Sequence, residues 1–261
     1  MKVMCIGDIV GRSGRRAVRE LLPELKQSHD IDLVIANGEN AAGGVGITRK
    51  VLENLLDWGI DIVTSGNHVW DKKEVYKFID DEQYPLLRPA NYPPEVPGRG
   101  YRIFNHQGVK VGVINLLGQV FMGEFDCPFR IFDEIFDEIK SEAEIIIVDF
   151  HAEATAEKVA FGWYADNRAT AVVGTHTHIQ TADEWVLPGG TGYISDLGMT
   201  GPINSVIGVK KDKVIDKFVT KLPTRFEVAK GEVKLCGVVL EINDISGRVD
   251  HIYRIQESLI D

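Results

Sequence analysis

Through the first two thirds of the chain, short runs of apolar, often β-branched residues alternate with stretches whose apolar residues recur at helical spacing. Residues 3–6, 33–36 and 60–64 read as strands, and 15–27, 48–58 and 72–79 as the helices that follow them. Val18, Leu21, Leu22 and Leu25 repeat with the period of one buried helix face, as do Val51, Leu52, Leu55 and Leu56. The strand runs show no alternation, as expected where helices cover both faces of a parallel sheet. This βαβαβα order predicts an α/β fold with a largely parallel central sheet flanked by helices.

Residues 81–99 hold Pro85, Pro89, Pro93, Pro94 and Pro97 and are expected to form an ordered connection over the surface. Residues 101–104 and 109–116 flank Asn105-His106-Gln107-Gly108 as a hairpin, which makes the sheet mixed from that point. A helix at 131–139, a strand at 145–150, a helix at 154–164 and a strand at 171–174 continue the alternation. Beyond them, 186–194 is glycine-rich and 214–219 weakly patterned. Residues 226–228, 233–242 and 249–255 look like antiparallel strands that either extend the sheet or pack between subunits. No repeat or linker interrupts the chain, and at ~150 residues per domain its 261 residues are read as one domain, 1–261.

Hydrophobic residues at 44% and charged residues at 26% suffice for a core without covalent staples and exclude intrinsic disorder. A net charge of −10, with no block of basic residues, argues against duplex nucleic acid or an anionic membrane as partner. An acidic protein that handles phosphate needs a local positive source, either an arginine cluster or metal ions. Cys5, Cys127 and Cys236 form no CxxC pair and read as buried thiols of a reducing compartment. An acidic residue already at position 8 and the lack of any run of ~18 apolar residues point to a cytoplasmic protein.

Five polar clusters stand directly after five strand candidates: Gly7-Asp8, Asn37-Gly38-Glu39-Asn40, Gly66-Asn67-His68, His151, and Gly174-Thr175-His176-Thr177-His178. Loops at the carboxyl ends of parallel strands converge on one edge, so clusters scattered over the chain meet in one site. Asp8 and Glu39 offer carboxylate oxygens, Asn40 and Asn67 carbonyl oxygens, and His151, His176 and His178 imidazole nitrogens. This mixture suits Fe, Mn or Zn better than Ca or Mg, and a pair of ions would need one bridging carboxylate. Glycine before Asp8, Glu39 and Asn67 is expected to let the backbone turn sharply out of the strand. His176 and His178, two apart, face the same way on extended backbone. Taken singly, His151 fits a core histidine and the Gly-Asp and Asn-His pairs fit turns; their joint placement is what indicates a site. Gly7-x-x-x-Gly11-Arg12-Ser13-Gly14 is one residue short of a Walker A loop and lacks its lysine. Arg12, at a helix start, is either solvated or a contact for a substrate phosphate.

The ordered clusters resemble the signature of calcineurin-like metallophosphoesterases. Gly7-Asp8-Ile9-Val10-Gly11, Asn37-Gly38-Glu39-Asn40-Ala41, Ser65-Gly66-Asn67-His68-Val69-Trp70-Asp71, Leu87-Arg88-Pro89-Ala90-Asn91-Tyr92 and Asp196-Leu197-Gly198-Met199-Thr200-Gly201-Pro202 further resemble the bacterial YmdB family. The resemblance implies a metallophosphoesterase sandwich with a two-metal site, usually iron (Fe2+/Fe3+), with Mn2+ or Zn2+ as alternatives. It implies phosphodiesterase activity on 2′,3′- and 3′,5′-cyclic nucleotides. By the same analogy Asp8, Glu39, Asn40 and His178 hold one ion and Glu39, Asn67, His151 and His176 the other, with Glu39 bridging and His68 a non-ligand acid. A homodimer or homotetramer is implied as well.

Two positions depart from the broader superfamily: Val10 stands where many members have histidine, and Glu39 where the bridge is commonly aspartate. The expected reaction is attack on phosphorus by a metal-activated hydroxide, with His68 protonating the departing alkoxide, a task for which imidazole is suited. Alternatives are a phosphomonoesterase or nuclease at the same site, or a regulatory metal- or nucleotide-binding protein in which hydrolysis is incidental.

Overall fold

The computed structural model describes residues 1–259, so the last two residues of the expected domain lie outside the described residues. β1 (Lys2–Ile6), α1 (Gly11–Ser28), β2 (Leu33–Asn37), α2 (Arg49–Asp57) and β3 (Ile62–Thr64) follow the predicted order. α1 buries Ala17, Val18, Leu21, Leu22 and Leu25, the stripe visible in the sequence. Thr48 starts α2 by accepting a hydrogen bond from the Val51 amide at 3.4 Å. The expected helix at 72–79 is instead a single short 3-10 stretch, Lys73–Lys77. The Phe78 and Ile79 amides both donate to the Val75 carbonyl, and both side chains are buried. So short a segment, hemmed by a site loop and a proline-rich run, does not repay helix nucleation.

β4 (Tyr101–His106) and β5 (Val109–Leu117) form the hairpin, followed by α3 (Pro128–Ile139), β6 (Ile145–His151), α4 (Thr155–Ala165) and β7 (Ala171–Thr175). The glycine-rich stretch contains β8 (Trp185–Val186) and β9 (Gly192–Ile194), joined as antiparallel neighbours. Then come β10 (Gly201–Pro202), α5 (Lys211–Thr220), β11 (Val233–Ile242) and β12 (Val249–Leu259). The weakly patterned 214–219 thus lies in a helix. The strand expected at 226–228 is reduced to an isolated bridge between Val228 and Val209. β11 already pairs with β1, β10 and β12, so no edge of it remains for Phe226 and Glu227, which are exposed.

The strands form two six-stranded sheets. In the first, β1, β2 and β3 are parallel, while β11 runs antiparallel to β1 and extends the sheet within the chain. In the second, β5, β6, β7 and β9 are parallel, with β4 and β8 antiparallel at the two edges. Alternate residues of each strand face different layers. Val3, Cys5, Leu33, Ile35 and Ile62 meet Val111, Val113, Ile145 and Ile147 between the sheets. Met4, Ile6, Val34 and Ala36 pack against Val18, Leu22 and Leu52 of α1 and α2. On the outer side of the second sheet, Ile146, Val148 and Phe150 pack against Phe132, Ile135 and Phe161 of α3 and α4. The apolar runs are continuous because every central strand is buried on both faces.

The proline-rich connection is not confined to the surface, since Leu86, Leu87, Arg88 and Asn91 are buried. The Leu87 amide donates to the Val63 carbonyl at 2.8 Å and the Ala90 amide to the Asn115 carbonyl at 2.7 Å, stitching β3 to β5. Prolines remove backbone donors. The Arg88 guanidinium supplies the deficit, donating to the carbonyls of Pro89 at 2.7 Å and Pro97 at 3.1 Å. The cysteines are free, Cys5 and Cys236 buried and Cys127 only half-buried. Among the described residues, no helix is long and apolar enough to cross a membrane.

Candidate metal centre

The carboxyl ends of both sheets' parallel strands meet at one place, which brings the five clusters together. Asp8 and Glu39, from the loops after β1 and β2, are fully buried. Asp8 Oδ2 accepts from the His176 amide at 3.1 Å, whereas Asp8 Oδ1 is buried without a hydrogen-bond partner. Glu39 Oε1 lies 3.2 Å from His151 Nε2 and 3.1 Å from Asn40 Nδ2, while Oε2 accepts from the His68 amide at 3.1 Å. Asn67 Oδ1 is 3.1 Å from His151 Nε2. Glu39, His151 and His176 each present a ligand atom, all within 4.8 Å of one another.

The three imidazoles turn one nitrogen inward and anchor the other. His178 Nδ1 donates to the Ile207 carbonyl at 3.0 Å, leaving Nε2 3.8 Å from Asp8 Oδ1 and 3.2 Å from Asn40 Nδ2. His151 Nδ1 donates to Thr175 Oγ1 at 2.9 Å, and that hydroxyl donates to Asp149 Oδ1 at 2.6 Å. His176 Nε2 is 3.1 Å from Glu153 Oε2, and its Nδ1 is 3.0 Å from His151 Nε2. Such outer partners select the tautomer that leaves an inward lone pair. His68 stands apart: its Nδ1 bonds Asp71 Oδ2 at 2.8 Å and its side chain is 35% exposed at the mouth of the site.

Two local expectations are corrected. His176 and His178 are not on extended backbone, with φ of 98° and 66° in the left-handed region disfavoured for side-chain-bearing residues. Their imidazoles are directed by this contorted turn after β7, not by strand periodicity. The glycines before Asp8 and Asn67 serve close approach rather than a turn. A Cβ at Gly66 would lie 2.4 Å from both Glu39 Oε2 and His151 Nε2, and one at Gly7 would lie 1.8 Å from the Gly198 carbonyl oxygen.

Electrostatics describe a site built for a cation. Burial pushes the Asp8 carboxyl up to about 6, against the opposing pull of His178 and His151. Burial alone would raise Glu39 too, but His151, with help from His68, holds it down to about 2. His151 is lowered by burial yet raised further by Glu39, Asp8 and Asp149, ending at about 9. Burial and the charge of His151 push His176 down to about 3. An orphaned buried carboxylate oxygen, converging imidazole nitrogens and a glycine where any side chain would collide with them all fit metal ions.

Residues 4–255 match the family model of YmdB-like proteins. The chain belongs to the YmdB-like family. A 2′,3′-cyclic-nucleotide 2′-phosphodiesterase of Bacillus subtilis (strain 168) is 48% identical over 255 residues, covering 98% of this chain and 96% of that one. A solved structure of a hypothetical protein from Thermus thermophilus superposes with a TM-score of 0.93 at 41% identity over 99% of both chains. A novel phosphatase from Mycoplasma pneumoniae gives the same TM-score at 34% identity, covering 99% of this chain and 93% of that one. The two-sheet α/β sandwich is shared with both of these solved structures.

The YmdB-like segments also contain residues with structural work that the motifs alone do not assign. Asn37 donates to Asp149 Oδ2 at 3.1 Å, and Thr64 Oγ1 donates to the same oxygen, so Asp149 ties β2, β3, β6 and β7 together under His151. Asp149 interrupts an apolar strand run, and that interruption is the signal by which it was open to detection. Asp196 Oδ2 accepts from Lys158 Nζ at 2.6 Å and Thr177 Oγ1 at 2.7 Å, bracing the turn that carries His176 and His178. Glu153 and Asp71, partners of His176 and His68, complete the set.

Proposed function

We propose that this chain binds two divalent metal ions and hydrolyses the phosphodiester of 2′,3′-cyclic nucleotides, with 3′,5′-cyclic nucleotides as further substrates. The observation that carries this reading is the convergence of oxygen and nitrogen donors around a buried, unpartnered Asp8 oxygen. The B. subtilis relative, 48% identical over nearly the whole chain, supports the substrate class by its name. By the family resemblance the donors divide into two groups that share Glu39, and Asp8 also reaches the second group, accepting from the His176 amide at 3.1 Å with His151 Nδ1 at 3.9 Å. Asp8, Asn40 and His178 lie together on one side, and Asn67, His151 and His176 on the other. Each group with Glu39 would hold one ion. The mixed O/N donors favour iron, with manganese or zinc as alternatives. Bound metal lowers the pKa of a water and offsets the charge of the phosphate oxygens.

The protein's own residues do the rest. Thr175, Ile207 and Glu153 hold the three imidazoles in orientation through their outer nitrogens. His68, with Nδ1 donating to Asp71, directs Nε2 at the leaving ribose oxygen and, acting as the imidazolium, supplies the Nε2 proton. Because ligands come from the first and the second sheet, residues 1–261 act as one catalytic unit.

Turnover of manganese- or iron-loaded protein on 2′,3′-cyclic AMP, run beside AMP, tests this. Release of a nucleoside monophosphate with AMP untouched is the expected result. Cleavage of AMP alone would replace the diesterase with a monoesterase, the reading that the name of the M. pneumoniae relative favours. No turnover of either with two ions bound would overturn both.

A further inference from the structure

This protein of net charge −10 carries a groove of the opposite sign. Arg12, Arg15, Arg16, Arg19, Arg225 and Lys230 line a cavity of about 960 Å³ between α1 and residues 225–231. Among the described lining residues Glu227 is the carboxylate, and it is paired with Lys210 Nζ at 2.6 Å, while Glu20 outside the lining accepts from Arg19 Nε at 3.0 Å. Two aromatic rings, Trp58 and Phe226, stand among the cations; Phe226 is 45% exposed and has Lys217 Nζ 4.6 Å from its ring centroid. The groove adjoins the metal centre through shared backbone. Arg15 donates to the Ala41 carbonyl, and the amides of Gly11 and Gly44 donate to the carbonyl of Asn40 at 2.8 and 3.2 Å. Across the groove, the Ala229 amide donates to the Gly208 carbonyl at 2.9 Å, one residue from the Ile207 carbonyl that anchors His178.

We propose that this groove holds the 3′-terminal segment of a single-stranded RNA and presents its 2′,3′-cyclic phosphate end to the metal centre. This rests on the diesterase reading above and names its substrate class. A mononucleotide carries one phosphate and occupies the metal centre itself, so the further cations beside it, Arg12, Arg15, Arg225 and Lys230 among them, call for phosphates further along a strand. Arginines interleaved with an exposed ring, Phe226, and a half-buried one, Trp58, suit unpaired bases, which stack without regard to sequence, better than an acidic peptide, which offers nothing to the rings. The reaction that supplies such an end is transesterification of RNA. The ribose 2′-oxygen bonds to the adjacent phosphorus, the P–O5′ bond breaks, and the downstream strand leaves with a 5′-hydroxyl. Hydrolysis at the metal centre then opens the ring with one water.

The test uses metal-loaded full-length protein and 5′-fluorescein-labelled hexauridylate ending in a 2′,3′-cyclic phosphate, compared with 2′,3′-cyclic UMP. In wild type, kcat/KM for the hexanucleotide exceeds that for cyclic UMP by ~10-fold or more at low salt, and falls with salt as expected for several phosphate contacts. The variant Arg16→Gln/Arg225→Gln/Lys230→Gln loses that advantage and keeps wild-type turnover of cyclic UMP and wild-type Tm. Phe226→Ala weakens binding of 3′-hydroxyl hexauridylate, read by anisotropy, about fivefold. Equal kcat/KM for the two substrates in wild type, or a triple variant that slows both alike, would overturn the proposal. So would displacement of the RNA by polyglutamate of matched charge as effectively as by unlabelled hexauridylate. If neither substrate is hydrolysed, the diesterase reading fails. The groove is then judged by anisotropy alone, where equal RNA binding by wild type and triple variant overturns it.

Discussion

The first sheet brings oxygen donors to the site and the second brings nitrogen donors. Asp8, Glu39, Asn40 and Asn67 follow β1, β2 and β3, whereas His151, His176 and His178 follow or end β6 and β7. Either set alone would be costly at this burial, two carboxylates with no counter-charge or imidazole nitrogens crowded to 3.0 Å. Joined, each offsets the other, and the bonds that join them are those that align the sheets: Asn37 to Asp149, Ser65 to Asn115, His176 to Asp8. Docking of the sheets and assembly of the site are one event.

The sharpest way to break the pairing is Glu39→Ala, because Glu39 touches both halves. Loss of both ions by elemental analysis is expected, with turnover down roughly a thousandfold as several kcal/mol of charge stabilisation disappear. His68→Ala leaves both halves intact; two ions should remain while kcat falls by ~10²–10⁴-fold. Full activity in that variant would remove His68 from the proton-donating role. Thr175→Val tests the second sheet alone by removing the hydroxyl between His151 and Asp149. Metal affinity should drop by ~10–100-fold, read by competition with a chelating dye, with the fold retained.

The smallest effect is on stability against pH. His151 is raised in the folded protein from its ordinary 6.5 to about 9, so its stabilising contribution is complete below about 6.5 and is lost as pH rises through about 9. Chelator-stripped protein should therefore show a Tm that declines over this window. Metal-loaded protein, whose ligands must be deprotonated, should not. Parallel declines in the two forms would mean that His151 faces no metal.

The strands before the site were legible from residues such as Val3–Ile6 and Ile145–Phe150 because double-sided burial demands unbroken apolar runs. Residues 72–79 misled because a plausible helical period says nothing about whether eight residues have room to nucleate. The proline-rich segment misled because low helix propensity was equated with exposure, whereas Arg88 satisfies carbonyls that prolines leave without donors. His176 and His178 stood out as candidates by residue type, and the positive φ values that orient them accompany the bracing of their turn by Asp196.

By itself the sequence determined the strand–loop alternation and the chemical types of the candidate donors, since periodicity and side-chain type are local properties. Only the tertiary structure decided that there are two sheets, that Gly66 makes room for Glu39 and His151, and that arginines of α1 face residues 225–231 across a groove. Those outcomes depend on contacts between residues far apart in the chain, 168 positions for Asp8 with His176 and 216 for Ser13 with Ala229. No local period encodes such a contact; it arises when burying both faces of every strand leaves one arrangement in which the buried charges are paired.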